Sequence, residues 1–220
     1  MIDAIIFDMD GVLIETESIY RETFKQILSQ YGVVYSADFF LQLAGTTIER
    51  GGAKKIIERF GLPLGEEQLI EKIYEVFDRL SQQLQPREGV TETIKILKAL
   101  KRQVAVATST VKDVALVRLN RSNLIDLFDV VVFGDDVLKS KPDPEIYRYT
   151  LKKLNVESPR VVVFEDSVNG VKSAIDAGIV KVFGVLHDHN DRQSLIKAGV
   201  MCAKRPPEIF SLFLRKLLYF

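Results

Sequence analysis

The chain has 220 residues, which is enough for one large domain or for a core that carries a smaller insert. Its 30 basic and 30 acidic residues cancel, so no overall positive field exists to hold a nucleic acid or an anionic membrane. The lone Cys202 cannot form an intramolecular disulfide, and acidic residues interrupt the N-terminal apolar stretch, unlike a secretory signal. We therefore expect a cytoplasmic globular protein that binds neither nucleic acid nor membrane.

Short apolar runs alternate with helical patterns along the chain. Continuous β-branched runs are typical of strands that are buried on both faces of a parallel sheet. Five such runs occur: Ala4–Phe7, Val104–Ala107, Val130–Phe133, Val161–Phe164 and Val180–Val185. The segments beside the later runs carry apolar residues at helical spacing. This alternation predicts an α/β fold, with a doubly wound, Rossmann-like parallel sheet.

The first two runs are separated by a gap of about 95 residues, which is too long for an ordinary crossover between strands. Two apolar stripes at helical spacing lie within it, one from Tyr20 to Tyr31 and one from Leu69 to Leu84. Glycine and proline residues punctuate the remainder. We predict a helical domain over residues 15–83, inserted into a core that is made of residues 1–14 and 84–220.

Polar side chains follow the ends of the predicted strands. Those that could carry chemistry are Asp8 and Asp10 after the first strand, Thr108 and Ser109 after the second, Lys141 after the third, and Glu165 and Asp166 after the fourth. Ligands of open α/β sheets bind beyond the carboxyl ends of the strands, so these side chains could share one crevice. Carboxylates for a hard metal ion and for nucleophilic attack, with hydroxyls and a lysine for phosphate oxygens, are the parts of a phosphoryl-transfer site.

The identity of one metal ligand stays open at this point. The third and fourth runs are the same string, Val-Val-Val-Phe, and each has an aspartate two residues after its phenylalanine. Physical reasoning on the sequence does not choose between Asp135 and Asp166.

Several polar residues near these motifs have ordinary structural interpretations. Thr110 opens a pattern that is typical of a helix cap. Asp143 and Pro144 fit the N-cap and first positions of a helix, which would place Lys141 just before a helix start. His187 and His189 follow the last run with no further cysteine or histidine within reach in the sequence, so we interpret them as part of a solvated loop.

The order and spacing of these motifs resemble those of the haloacid dehalogenase superfamily. The matching segments are Asp8–Val12 for its first motif, Ala107–Ser109 for its second, Lys141–Pro144 for its third and Glu165–Ser167 for its fourth. The helical insert directly after the first motif is similar to the helical cap domain of the β-phosphoglucomutase and phosphoglycolate-phosphatase-like branch. The resemblance also implies that the first strand lies between the second and the fourth.

The resemblance implies a role for each residue at the strand ends. Asp8 would be the nucleophile and a Mg²⁺ ligand, and Asp10 would be the acid/base and offer its backbone carbonyl to the metal. Phosphate would be held by Thr108, the Ser109 backbone and Lys141. Asp166 would bind Mg²⁺, with Glu165 either as a further ligand or as support behind it.

The resemblance also implies that a loop of the cap domain faces the site. The residues in question are Gly45, Thr46 and Thr47, which would contact the substrate. Thr46 has a second interpretation, because together with Glu49 it forms the pattern of a capping box at a helix start.

The resulting hypothesis is a Mg²⁺-dependent phosphatase, a phosphoric monoester hydrolase that acts on a small phosphorylated metabolite through an aspartyl-phosphate. We expect a monomer or weak dimer. A sugar phosphomutase is the alternative, although Tyr20 stands where that branch has a histidine and Ile48 where it has an arginine. A non-catalytic phospho-receiver, from another class, would have no helical insert and no use for Asp10.

Overall fold

The computed structural model describes residues 1–35, 48–188 and 190–217, without the side chain of Arg50. The chain divides into two compact units, Met1–Glu15 with Leu84–Phe220, and Thr16–Gln83. We refer to them as the sheet unit and the helical unit. Among the described residues, none of the helices combines the length and the apolar character that crossing a membrane requires.

A parallel sheet of six strands forms the centre of the sheet unit, in the order β3-β2-β1-β4-β5-β6. The strands are β1 (Ala4–Phe7), β2 (Gln103–Ala107), β3 (Val130–Val132), β4 (Val161–Glu165), β5 (Lys181–Val185) and β6 (Cys202–Lys204). The predicted fold class is confirmed, and the five apolar runs form β1 to β5. Strand β6 was not predicted, because this short edge strand offers only Ala203 as a buried residue.

The helical unit has its own apolar core. Its helices are α1 (Glu17–Ser29), α2 (Ala53–Phe60) and α3 (Glu66–Leu80), with a π-helical turn at Ile48–Gly52. Phe24, Ile56 and Ile73 are among the buried residues that pack together there. The two predicted stripes are α1 and α3, although α3 ends at Leu80 rather than Leu84. Gly45, Thr46 and Thr47 lie outside the described residues.

Among the described residues of the sheet unit there are six further α-helices. They are α4 (Val90–Ala99), α5 (Lys112–Arg121), α6 (Glu145–Leu154), α7 (Val168–Asp176), α8 (Arg192–Ala198) and α9 (Glu208–Leu217). Successive residues of β1 face opposite sides of the sheet. Ile6 packs in a cluster with Ile146 of α6, whereas the Phe7 ring stacks on Phe164 at 5.1 Å between centroids. Phe164 in turn contacts Phe213 of α9, so helices cover both faces of the sheet.

Candidate active site

The strand register brings the predicted motifs to one edge of the sheet. Phe7 on β1 lies opposite Val106 on β2 and opposite Phe164 on β4. The residues that follow these three positions therefore emerge side by side. The position of β1 between β2 and β4 is the one that the family resemblance implied.

Lys141 lies at the centre of the buried side chains at this edge. Its Nζ donates to Asp8 Oδ1 at 2.6 Å, to Glu165 Oε1 at 2.6 Å and to the Ala107 carbonyl at 2.9 Å. These three acceptors match the three hydrogens of an ammonium group. Burial by itself lowers the pKa of Lys141, but Asp8 and Glu165 outweigh it and raise this pKa above its ordinary value. Lys141 is therefore a permanent positive charge beside Asp8.

The segment that carries Lys141 is anchored to two helices. Helix α6 begins at Glu145, whose N–H donates to Asp143 Oδ1 at 3.0 Å, and Ser173 Oγ of α7 donates to the Asp143 carbonyl at 2.6 Å. The predicted N-cap was one residue too early, because Pro144 occupies that position. Asp143 still accepts a hydrogen bond from the first turn, so it stabilises the helix start just after Lys141.

Glu165 is fully buried, and both of its carboxylate oxygens accept hydrogen bonds from the protein. Oε1 accepts from Lys141 and, at 2.7 Å, from the hydroxyl of Tyr147 on α6, while Oε2 accepts from the Asp166 N–H at 3.1 Å. Burial and the negative charge of Glu165 raise the pKa of Tyr147 well above its ordinary value, so the phenol stays a donor. Tyr147 was not predicted as a site residue, because the sequence pattern of an aromatic residue on the buried face of a helix is that of an ordinary core residue.

Helix α7 passes close to the same carboxylate. A Cβ on Gly170 would lie 2.0 Å from the Glu165 carboxyl group. This glycine is therefore what allows α7 to begin directly over the carboxylate, and any larger residue there would displace the helix or Glu165.

Three carboxylates meet at the edge of the sheet, from Asp8, Glu165 and Asp166, with oxygens within 4.8 Å of one another. Burial raises the pKa of Asp8 well above its ordinary value, an effect that Lys141 opposes and Glu165 and Asp166 increase. Burial, followed by the charge of Glu165, likewise raises the pKa of Asp166. Three carboxylates and one ammonium leave a charge of −2 when all are ionised. A divalent cation with a preference for oxygen ligands fits this charge and this donor set.

Gly11 gives Asp166 the space that it occupies. A Cβ at this position would lie 2.0 Å from Asp166 Oδ2, and the φ angle of Gly11 is +79°. Both the close approach and the left-handed backbone require glycine here. The turn after Asp10 therefore brings the first and fourth motifs together.

His187 contacts Asp166, contrary to the prediction of a solvated loop. The side chain of His187 is buried, and its Nε2 lies 3.0 Å from Asp166 Oδ2. Asn190 folds the loop inward, because its Nδ2 donates to the carbonyls of Asp166 at 2.9 Å and Val185 at 2.8 Å. The position after β5, at the ligand-binding edge of the sheet, was the sequence signal that could have indicated this placement. His189 lies outside the described residues.

Asp10 is bound by two side chains of the segment that follows β2. Arg118 Nη1 on α5 donates to Asp10 Oδ1 at 2.7 Å, and Thr110 Oγ1 donates to Asp10 Oδ2 at 2.8 Å. The prediction that Thr110 caps a helix was wrong, because α5 has Val111 at its N-cap and no side-chain cap. Arg118 was missed, although a charged residue between the buried Ala115 and Leu119 is an unusual pattern on a helix face.

Thr108 and Ser109 follow β2 at the same edge. Thr108 is buried, and its Oγ1 accepts a hydrogen bond from the Thr110 N–H at 3.1 Å. The preceding residue, Ala107, is the one whose carbonyl binds Lys141. The turn after β2 is therefore connected both to Lys141 and, through Thr110, to Asp10.

A haloacid dehalogenase-like hydrolase family model matches residues 5–185. The chain belongs to this family. A phosphorylated carbohydrates phosphatase of Thermotoga maritima is 40% identical to this hydrolase over 210 residues, which is 95% of this chain and 97% of that protein. The predicted resemblance is confirmed, and the names of the curated relatives confirm the predicted enzyme class, a phosphoric monoester hydrolase.

Solved structures of the same branch superpose on this hydrolase over nearly its whole length. A candidate β-phosphoglucomutase from Thermotoga maritima is 39% identical, with a TM-score of 0.82, and the match covers 97% of this chain and 99% of that one. The protein CbbY from Rhodobacter sphaeroides, crystallised with phosphate, is 28% identical with a TM-score of 0.78, and the coverage is 93% and 94%.

The two aspartates that the sequence left as alternatives differ in their surroundings in this hydrolase. Asp135 Oδ1 accepts the Lys112 N–H at 2.9 Å, at the start of α5. Asp166, in contrast, belongs to the carboxylate cluster with Asp8 and Glu165. The difference arises because β4 is adjacent to β1, whereas β3 lies beyond β2. The geometry therefore favours Asp166 over Asp135 as a candidate metal ligand.

Proposed function

We propose that this hydrolase is a Mg²⁺-dependent phosphatase that releases phosphate from small phosphorylated sugars through an aspartyl-phosphate on Asp8. The observation that carries the proposal is the convergence of three carboxylates within 4.8 Å, with Lys141 bound to Asp8. The names of relatives support the substrate class. A fructose-1-phosphate phosphatase of Escherichia coli, for example, is 31% identical over 176 residues, 80% of this chain and 92% of that protein.

Mg²⁺ would be held by the carboxylates of Asp8 and Asp166 and by the backbone carbonyl of Asp10. When bound, it neutralises negative charge on the phosphoryl oxygens during transfer. Glu165 serves as support rather than as a ligand, because Lys141, Tyr147 and the backbone of the following loop already occupy its oxygens. Thr108 and the Ser109 backbone would bind the remaining phosphate oxygens. Lys141 would join them by exchanging one of its three hydrogen bonds, the one to Asp8, for a phosphate oxygen.

The reaction proceeds in two displacements at phosphorus. In the first, a carboxylate oxygen of Asp8 attacks phosphorus, the bond to the sugar oxygen breaks, and Asp10 donates its proton to that oxygen. In the second, water attacks the same phosphorus, Asp10 accepts a proton from the water, and the Asp8 carboxylate leaves. The products are the free sugar and inorganic phosphate, and both carboxyl groups return to their starting states.

We expect phosphate release to require Mg²⁺. Mutual repulsion of Asp8 and Asp166 must be offset before a phosphate dianion can approach, so metal-stripped protein in excess EDTA should show no turnover and added Mg²⁺ should restore it. Ca²⁺ should restore little, because its longer and looser coordination misplaces the nucleophile. Phosphate release from a panel of sugar phosphates provides the measurement. Undiminished activity in EDTA would refute the metal dependence, and a single phosphate per chain would indicate a phospho-receiver instead.

A phosphomutase is the second candidate, which the likeness to a candidate β-phosphoglucomutase favours. Against it, Tyr20 stands where the mutase resemblance would need a histidine, and the uncharged Ile48 stands where it would need an arginine to hold a distal phosphate. Incubation with Mg²⁺, β-glucose 1-phosphate and a trace of the bisphosphate primer separates the two activities. Free phosphate is expected to accumulate, whereas rapid formation of glucose 6-phosphate with negligible free phosphate would establish the mutase.

We expect Asp10→Asn to slow both displacements while leaving the nucleophile in place. Loss of proton transfer typically costs about 10²–10⁴-fold in rate. The decrease should be largest for sugar phosphates, whose alkoxide leaving group needs a proton, and smaller for the phosphorylation step with p-nitrophenyl phosphate. Rapid-quench measurement of phosphoenzyme formation and decay tests this. Equal rates for Asp10→Asn and wild type would show that Asp10 is not the acid/base.

A further inference from the structure

Arg118 is a buried arginine that lies outside the four family motifs. Only 2% of it is exposed, and its Nη1 lies 2.7 Å from Asp10 Oδ1. A buried cation is costly unless its charge is paired, and Asp10 is an ion-pair partner of its guanidinium. The pair joins α5 to the turn after β1, two elements that are far apart in the sequence.

Thr110 binds the other oxygen of the same carboxylate, at 2.8 Å. The carboxylate of Asp10 is thus held at both oxygens by donors that come from a single segment, the turn after β2 and the helix that follows it. Two donors at two oxygens restrict rotation of the carboxylate about its own axis as well as its position. A free aspartate at a partly exposed turn would not have this restriction.

We propose that Arg118, assisted by Thr110, is a positioning residue that places the Asp10 carboxylate for proton transfer. The inference depends on the proposed function, in which Asp10 is the acid/base. Arg118 contributes by holding an oxygen of Asp10 within reach of the sugar oxygen and later of the water. Since proton transfer depends on this geometry, a displacement of about 1 Å can lower the rate on the order of 10²-fold.

A positioning role has a specific consequence for double variants. If Arg118 acts through Asp10, its removal should matter only while Asp10 can transfer protons. The Arg118→Met variant should therefore lose turnover in the wild-type background and lose nothing further in the Asp10→Asn background. A residue that supports the fold would instead lower turnover by the same factor in both backgrounds.

The test is a double-variant cycle on the full chain with Mg²⁺ and a hydrolysed sugar phosphate, comparing wild type, Arg118→Met, Asp10→Asn and the double variant. We expect Arg118→Met to lower kcat by about 10- to 100-fold with little change in KM. Arg118→Lys should recover part of this loss, because a lysine can still donate to Asp10. Arg121→Met, which removes another arginine from α5, serves as the matched control and should retain wild-type kcat.

Thr110→Val provides a second variant in case Arg118→Met fails to fold. It keeps the shape of the side chain and removes only the donor to Asp10 Oδ2, so it should lower kcat and also lose its effect in the Asp10→Asn background. If either variant lowered kcat in the Asp10→Asn background by the same factor as in the wild-type background, the positioning role would be overturned. If Asp10→Asn alone left kcat unchanged, the proposed function would fail instead, so the two failures are distinguishable.

Discussion

Asp8→Asn is expected to abolish turnover, with a loss on the order of 10⁴-fold or more in kcat at saturating Mg²⁺. An amide oxygen is a far weaker nucleophile than a carboxylate, so no phosphoenzyme should form. The amide keeps nearly the same shape and can still accept the hydrogen bond from Lys141 Nζ. Phosphate release and rapid-quench trapping of phosphoenzyme measure the effect directly.

The chain contains a matched control for this variant. Asp135 stands two residues after the string Val-Val-Val-Phe that contains β3, and Asp166 stands two residues after the identical string in β4. Asp135 accepts a hydrogen bond from the Lys112 N–H and lies outside the carboxylate cluster. Asp135→Asn should therefore keep wild-type turnover. An Asp8→Asn protein that folds, binds Mg²⁺ and still turns over at the wild-type rate would contradict the assignment of the nucleophile.

Lys141→Met should lower the free energy of unfolding by about 3–5 kcal/mol, because it leaves two buried carboxylates without their cation. Asp8 and Glu165 each lie 2.6 Å from Lys141 Nζ, and methionine fills a similar volume without charge. Urea unfolding in EDTA, followed by circular dichroism, gives the difference between variant and wild type. Phosphatase activity should be lost as well, since positive charge beside Asp8 disappears.

The loss of stability that we expect for Lys141→Met depends on pH in a definite direction. The pKa of Asp8 is raised by burial even with Lys141 present, and without that cation it rises further. Below the pKa of the unfolded chain, about 4, this carboxyl group is protonated in both the folded and the unfolded state, so its raised pKa in the folded state does not affect stability there. Stability is then lost as the pH rises towards the folded-state pKa. Lys141→Met should therefore be more destabilising at pH 8 than at pH 5.

Lys139→Met is the control for Lys141→Met. Lys139 lies two residues earlier, with 71% of its side chain exposed, and it forms an ion pair with Asp143 at 3.5 Å. Exposed ion pairs contribute about 0–1 kcal/mol, so this variant should be close to wild type in stability. Equal unfolding free energies for both variants would show that Lys141 is not the cation that stabilises the buried carboxylates.

The sequence by itself determined the layers of the sheet unit and the residue types at its ligand-binding edge. Apolar runs such as Ala4–Phe7 and Val161–Phe164 are local patterns, because strands buried on both faces need continuous apolar side chains. The motifs that follow them are also local, so Asp8 and Lys141 could be singled out before any contact was known. The short edge strand β6 escaped this reasoning, since three residues with one buried side chain carry too little pattern.

Only the tertiary structure decided which distant side chains meet. Asp135 and Asp166 follow identical strings, and they differ because strand order places β4, and not β3, next to β1. The partners of Arg118 and His187 were likewise beyond local patterns, since Asp10 and Asp166 are 108 and 21 residues away along the chain. Strand order and the paths of loops are set by packing over the whole sheet unit, and they determine which charges are buried together.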